Sequence, residues 1–191
     1  IYVTGGTNSV DFPTTSNAYL SSYQDSATAD AFVTKIASNG SQILTSSYYG
    51  TNQYDQSYFV EIGNNNSIYL FGQTTSLGTA LVNNASYFTI DGNQFIVVFS
   101  NDLSSVVRST VIGTGKGTPD ISPTAFLVDV CDKIYISGWG SSLGGGALST
   151  LNLPISSNAY QQTTDGNDFY LMVLDDMMNS MLYATYFGGS Q

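Results

Sequence analysis

Fourteen carboxylates and one thiol are the side chains here that could do chemistry, and no histidine accompanies them. Without His there is no Ser-His-Asp or Cys-His activation of a nucleophile, no imidazole proton shuttle and no His-bearing zinc site. Paired carboxylates could hydrolyse a glycosidic bond. The acids sit mostly in turns or at strand edges, however, and Asp30 and Asp168 recur at one repeat position that Gln94 fills in the middle unit. An acid that recurs in this way is expected to accept backbone N–H bonds at a turn. Cys131 is flanked by Asp129 and Asp132, whose negative charge disfavours a thiolate. Its context, AFLVDVCDKIYISG, reads as a strand, so a buried small hydrophobe is expected; the alternative is a disulfide to a segment outside this chain. No catalytic, cofactor-binding or metal-binding residue is assigned.

Three loops imitate binding motifs. Asp165-Gly166-Asn167-Asp168 resembles the start of a calcium loop, and Asp91-Gly92-Asn93 echoes it. The rest of the pattern is missing, so an ordinary turn is expected, with a structural calcium ion as the alternative. Gly113–Thr118, GTGKGT, has neither phosphate-loop spacing nor a following helix, and reads as an inter-strand turn. Gly144-Gly145-Gly146 is likewise read as a loop. Trp139 and the Tyr-rich loops could stack on sugar faces, but burial of Trp139 between sheets is the expectation. The triplets at Asn39, Asn65 and Asn84 match the N-glycosylation pattern as a chance result of Asn/Ser-rich composition.

Composition narrows the class. Of the 191 residues, 42% are hydrophobic, enough for a core, and only 9% are charged, against roughly 25% in an average soluble domain. Fourteen Tyr among many Thr and Val suit pleated sheet surfaces. The net charge is −10, and Lys35, Arg108, Lys116 and Lys133 are the four cations. Four scattered cations cannot hold a phosphate backbone or an anionic bilayer, so nucleic acid and direct membrane insertion are excluded as expectations. No apolar run approaches the ~20 residues of a membrane-spanning helix.

The elements that must carry these residues come in repeats. IYVTGGT at residues 1–7, IYLFGQT at 68–74 and IYISGWG at 134–140 are offset by 67 and 66 residues, which marks a repeated supersecondary unit. Unit 1–67 holds strand candidates at Ile1–Gly5, Ala31–Ser38, Ile43–Tyr49 and Tyr58–Gly63. Unit 68–133 repeats the plan at Ile68–Gly72, Gln94–Ser100, Val106–Ile112 and Ala125–Val130. Unit 134–191 gives Ile134–Gly138, Phe169–Leu174 and Met181–Phe187, and is read as lacking its fourth strand. Asn39-Gly40 is a hairpin signal. Phe32 to Gly50 and Phe95 to Gly113 are each 18 residues, and Phe169 to Gly188 is 19, read as one insertion. SNAY at 16–19, NNASY at 83–87 and SNAY at 157–160 recur before the second strand and are the best helical candidates, one turn each. The middle runs QFIVVF and DFYLMVL read as strands buried on both faces. The expected fold is all-β: part of a β-propeller, about three consecutive four-stranded antiparallel blades. Three blades are not expected to close a ring, which leaves apolar outer faces. Beginning and ending within a repeat, the chain is expected to be an internal fragment of a longer polypeptide.

IYVTGGTNSVDFPTTSNAY followed by DAFVTKIASNGSQILTSSYYG resembles the bacterial seven-bladed beta-propeller repeat family, most closely at Asp11–Thr15, Asp30–Lys35 and Tyr48–Gly50. Unit two is degenerate, since GQTTSLGTALVNN lacks the DFPTT segment. The third unit, with SPTAFLVDVCDKIYISGWG before it, resembles very large surface proteins of gliding bacteria exported by the type IX secretion system. The resemblance implies a propeller, an extracellular location on the cell surface, and a multi-domain parent. Implied partners are the parent's other domains or missing blades, the type IX translocon with its outer-membrane components, and surface glycans. Asp25-Ser26-Ala27 matches a short O-glycosylation site of such exported proteins. No catalytic residue is implied. The expected role is a non-enzymatic scaffold or adhesion module linked to gliding or surface attachment. A carbohydrate-binding propeller is the alternative, and a glycoside hydrolase-like propeller a more distant one.

Overall fold

The computed structural model describes residues 1–24, 27–141 and 148–189. The strands are β1 Tyr2–Thr7, β2 Asp30–Ile36, β3 Ile43–Tyr49, β4 Asp55–Ile62, β5 Ile68–Thr74, β6 Gln94–Phe99, β7 Val106–Ile112, β8 Ser122–Val128, β9 Ile134–Trp139, β10 Phe169–Leu174 and β11 Met181–Phe187. They form three antiparallel meanders: β1-β2-β3, then β4 to β7, then β8 to β11. The one helical element is a 3-10 turn at Asn64–Asn66, among the described residues, and none is long and apolar enough to cross a membrane. The described strands do not close a ring.

The repeat holds at the level of register. Gly5 faces Phe32, Gly72 faces Phe95 and Gly138 faces Tyr170. A methyl group on Gly72 would stand 2.4 Å from the Phe95 ring and 2.2 Å from the Gln56 carbonyl oxygen, so this close approach requires glycine. A β-bulge then falls at the same place in each sheet: Lys35/Ile36, Val98/Phe99 and Val173/Leu174. Beside each bulge the hairpin turn ends on a left-handed residue: Gly40 (φ 74°), Leu103 (φ 57°) and Met178 (φ 54°). This is the bulged hairpin loop of antiparallel sheets. Asn39-Gly40 announces it in the first sheet. Leu103 and Met178 carry no such signal, because neither favours positive φ; their side chains are fully buried in the cores between sheets, which holds them there.

Pairing corrects several sequence expectations. The runs read as fourth strands of units one and two are β4 and β8, and they pair with β5 and β9 of the following unit. The sheet with three strands is therefore the first, and the third has four. The tight turn at Asn64–Asn66 makes β4 and β5 a hairpin, whereas residues 50–54 cross between sheets. Tyr170, not Phe169, is the counterpart of Phe32 and Phe95, so its spacing to Gly188 is also 18 residues and unit three carries no insertion. The SNAY segments are turns rather than helices: Ala18 donates to the Thr15 carbonyl at 3.1 Å and Ala159 to the Ser156 carbonyl at 3.0 Å. Each lies along the outer edge of its own sheet, where it bonds β3, β7 or β11. Examples are Tyr48 N–H to the Leu20 carbonyl (3.0 Å), Asn83 and Ser109 exchanging two bonds, and Ser156 N–H to the Ala184 carbonyl (3.0 Å). A loop that supplies strand-edge bonds has no need of helical ones.

The middle sheet is packed on both faces. Ile68, Leu70, Phe95, Val97 and Phe99 meet Ala31, Val33 and Tyr49 of the first sheet. Tyr69, Phe71, Ile96 and Val98 meet Ile134, Ile136, Tyr170 and Met172 of the third. β5 and β6 are accordingly buried along their whole length, as QFIVVF suggested. β10 is buried on alternate residues only, contrary to the reading of DFYLMVL, because no sheet covers its second face.

Neighbouring sheets are also tied by a repeated backbone bond. Tyr19 donates its N–H to the carbonyl of Leu103 at 2.8 Å, and Tyr87 donates to Met178 at 2.9 Å. In each pair the edge loop of one sheet grips the left-handed turn residue of the next. The third tyrosine of the series, Tyr160, meets no further sheet among the described residues and is 79% exposed. Replacing these equivalent tyrosines by Ala is therefore expected to have unequal effects. Tyr87→Ala should cost roughly 2–3 kcal/mol of stability, by lost packing at a partly buried site, while Tyr160→Ala should stay within about 0.5 kcal/mol. Urea denaturation of the two variants checks this.

Candidate functional site

Two families of buried carboxylate sit where the chain passes from sheet to sheet. Asp55 opens β4, and its Oδ2 accepts the Thr51 N–H at 2.6 Å and the Thr51 hydroxyl at 2.9 Å. Asp120, just before β8, accepts the Thr114 N–H at 2.7 Å and the Thr114 hydroxyl at 2.7 Å. Gly50 and Gly113 precede these threonines and lie against the carboxylates. The second family is the recurring position noted in the sequence. Asp30 Oδ2 accepts the Gln24 N–H at 2.6 Å, and Asp168 Oδ2 accepts Gln161 Nε2 at 2.9 Å. The middle-unit counterpart is Asn93 and not Gln94 as the sequence suggested, since the register that aligns Phe32, Phe95 and Tyr170 sets Asn93 level with Asp30 and Asp168; its Nδ2 donates to the Thr74 carbonyl at 2.7 Å. Gln94, one residue on, donates from Nε2 to the Ile121 carbonyl at 3.0 Å and accepts the Asp120 N–H on Oε1 at 3.3 Å. The Asp55 and Asp120 pair escaped the sequence reading, although Gly-Thr followed by an Asp at 50–55 and 113–120 was there to be compared.

Their electrostatics differ. Asp120 has the Lys116 ammonium at 3.1 Å. That lysine, read against a phosphate loop, therefore faces a carboxylate of its own chain, and residues 113–118 form the link between β7 and β8 as expected. Asp55 is fully buried, and among the described residues no ion pair is formed by it. Burial pushes its carboxyl up to about 6, with hydrogen bonds offsetting part of the rise and the neighbouring Asp30 charge adding to it.

Open space near these corners is lined mostly by polar residues. A cleft of about 260 Å³ is lined by Gln161, Thr163, Thr164, Asp165, Asp168 and Gly189. A second, of about 470 Å³, lies between Thr51, Asn52, Gln53, Thr75, Ser76, Leu77, Ala80 and Gly117 and is lined by no titratable side chain. In the first cleft, Asp165 Oδ1 accepts the Asn167 N–H at 2.9 Å, which is an Asx turn. Asp91 instead accepts the N–H of Gly78, from an earlier loop, at 2.6 Å. Among the described residues no three His, Cys, Asp or Glu side chains group to hold a metal ion.

Other expectations move. Cys131 is exposed, in the turn between β8 and β9, and not in a strand. The Asp129 carboxylate accepts the N–H groups of Cys131 (2.8 Å) and Lys133 (2.9 Å), and these bonds bend the chain there. The same turn meets its counterpart on the middle sheet through Asn64 N–H to Asp132 Oδ1 at 2.8 Å. Trp139 is half-exposed rather than buried between sheets; it lies opposite Phe169 on the uncovered face of the third sheet. Asn39 holds its turn by accepting the Ser41 N–H, whereas the Asn84 side chain donates across to the Val107 carbonyl of β7 at 3.1 Å. The O-glycosylation match at Asp25-Ser26-Ala27 and the Gly144-Gly145-Gly146 loop fall at or beyond the edge of the described residues.

That uncovered face is apolar. Val33, Ile96 and Leu171 occupy equivalent positions and are 0%, 0% and 38% exposed; Tyr49, Ile112 and Phe187 are 2%, 2% and 56% exposed. Leu127 and Phe169 extend the same apolar patch. Compared with models of known protein families and with curated proteins, the chain matches none.

Two measurements bear on this description. Asp55 binds its proton more tightly in the folded chain, so folding gains most from it at low pH and loses that gain as pH rises from about 4 to about 6. Asp55→Asn keeps an acceptor for Thr51 without the charge, and should gain on the wild type across that window by up to about 3 kcal/mol; urea melts at pH 4 and pH 7 give the difference. Cys131 in the native chain should react stoichiometrically with a thiol reagent such as dithionitrobenzoate, at a rate unchanged by denaturant.

Proposed function

We propose that the chain is a run of three propeller blades and serves as a non-enzymatic scaffold or adhesion module. The observation that carries this reading is the exposure of Leu171 and Phe187 at positions that the first two sheets bury against a neighbour. A sheet with an aromatic face built for a neighbour is an assembly surface. The buried acids support the non-enzymatic side, because each is engaged in holding a corner of the fold through N–H and hydroxyl donors. Export to the cell surface, with type IX translocon contacts on the way, rests on the resemblance to the seven-bladed propeller repeats of gliding bacteria.

One observation favours carbohydrate binding as a second reading. The Tyr160 and Phe187 rings lie 6.2 Å apart and exposed, and Tyr160 adjoins Gln161 of the acid-lined cleft. Aromatic faces beside hydrogen-bonding side chains suit a sugar. A glycan array with the wild type and Tyr160→Ala separates this from protein scaffolding.

Sedimentation tests the main reading. The wild-type chain should self-associate with rising concentration, and Leu171→Ser with Phe187→Ser should keep it monomeric without lowering its melting temperature. A wild type that stays monomeric to its solubility limit would remove the assembly surface. A turnover activity abolished by Asp165→Asn or Asp168→Asn would end the non-enzymatic reading.

A further inference from the structure

The cleft of about 470 Å³ combines a fixed backbone with idle side chains. It lies between the loop that enters β4 and the loop that follows β5, and both loops are already held. Asp55 takes the Thr51 N–H, the Thr51 hydroxyl accepts the Gln53 N–H at 3.2 Å, and the Thr74 hydroxyl accepts the Ser76 N–H at 2.9 Å. Thr75 N–H donates to the Tyr54 carbonyl at 2.9 Å and ties one loop to the other. The lining side chains are in the opposite state. Among the described residues, the amides of Asn52 and Gln53 and the hydroxyls of Thr75 and Ser76 make no hydrogen bond.

The next crossing shows another use of the same position. Between Thr114 and Asp120 the chain places Lys116, 3.1 Å from the Asp120 carboxylate. Between Thr51 and Asp55 it places Asn52 and Gln53, and commits neither to the acid. The lining then selects a ligand by its chemistry. It holds no charged side chain, so an anion finds no cation there and a cation no carboxylate. The net charge of −10 disfavours anions further. Each amide offers donors and an acceptor, and each hydroxyl offers both. A ligand must answer with closely spaced donors and acceptors of its own. Leu77, 63% exposed, adds an apolar contact. Hydroxyls on adjacent ring carbons, with C–H groups between them, meet all of these demands. The volume lies within the ~300–1,000 Å³ of small-molecule sites.

We propose that this cleft is a binding site for a neutral mono- or disaccharide, hydrogen-bonded by Asn52, Gln53, Thr75 and Ser76 and packed on Leu77. Because the walls are preformed, binding orders only side chains and not loops. The site is separate from the Tyr160 and Phe187 rings of the third sheet, and it requires no role in adhesion.

The test titrates isotope-labelled Tyr160→Ala protein with maltose, lactose and diacetylchitobiose and follows it by NMR. Stacking beside Phe187 then does not contribute, and its fate is a separate result. At least one sugar should shift the side-chain amide resonances of Asn52 and Gln53 saturably, with a dissociation constant of about 1 mM. Asn52→Ala with Gln53→Ala should weaken that binding about tenfold or more, and Thr75→Val with Ser76→Ala about fivefold. None of the four side chains is buried, so both variants should melt with the parent. Lactobionate and deacetylated chitobiose carry charge, and should bind at least about tenfold more weakly than the best neutral sugar. The proposal is overturned if none of the three sugars shifts either amide, if binding survives the Asn52 and Gln53 substitutions, or if a charged sugar binds as tightly as the neutral ones.

Discussion

A short four-stranded sheet with apolar residues on both faces must have both faces covered, and this chain contains almost no helix to cover them. Among the described residues the cover is another sheet, with loop residues such as Leu81 and Leu153 filling in. That constraint organises everything else described here. It makes β5 and β6 fully buried, it places Leu103 and Met178 as plugs between sheets, and it brings the edge loops to the turns of their neighbours. It also explains why burial is so uneven along the stack. Equivalent residues with nearly the same chemistry differ in exposure only because one has a neighbour and another does not.

The polar groups follow from the same requirement. Packing sheets face to face forces the chain to cross from the outer strand of one to the first strand of the next. Each crossing leaves backbone N–H groups in a crowded corner. Asp55 and Asp120 satisfy those groups, with glycine beside each to make room. The cost is a carboxylate in a poorly solvated place. Lys116 forms an ion pair in one corner; in the other, among the described residues, Asp55 has hydrogen bonds and no ion pair, and burial raises its carboxyl to about 6. These acids are recurrent because the crossings are recurrent.

Much of this was legible in the sequence. The IY strands, the hairpin at Asn39-Gly40 and the two-sided burial of QFIVVF each reflect a local rule, and the structure keeps them. What was misread depended on which strand pairs with which. Tyr58 belongs to a hairpin with the following unit, and only the tightness of the Asn64–Asn66 turn decides that. Tyr170 was passed over for Phe169 because both are aromatic and only pairing with Gly138 distinguishes them. Cys131 looked like a strand residue because apolar runs flank it; the Asp129 carboxylate turns the chain instead. The left-handed Leu103 and Met178 were invisible, since tertiary burial and not local preference fixes them.

The bond from Tyr87 to the Met178 carbonyl has a consequence for symmetry. Each sheet offers an acceptor at its hairpin turn on one side and a donor from its edge loop on the other. The interface is therefore heterologous: donor side meets acceptor side, and no twofold axis can relate two sheets joined this way. Successive sheets are related by a rotation that always runs in the same sense. Such a series ends in only two ways, by returning on itself or by meeting an element of different shape. Among the described sheets Gly40 lies on the acceptor side, and on the donor side the Tyr160 N–H is taken by the Tyr183 hydroxyl at 3.1 Å, so a further sheet there would have to displace an intramolecular bond before the same contact could form.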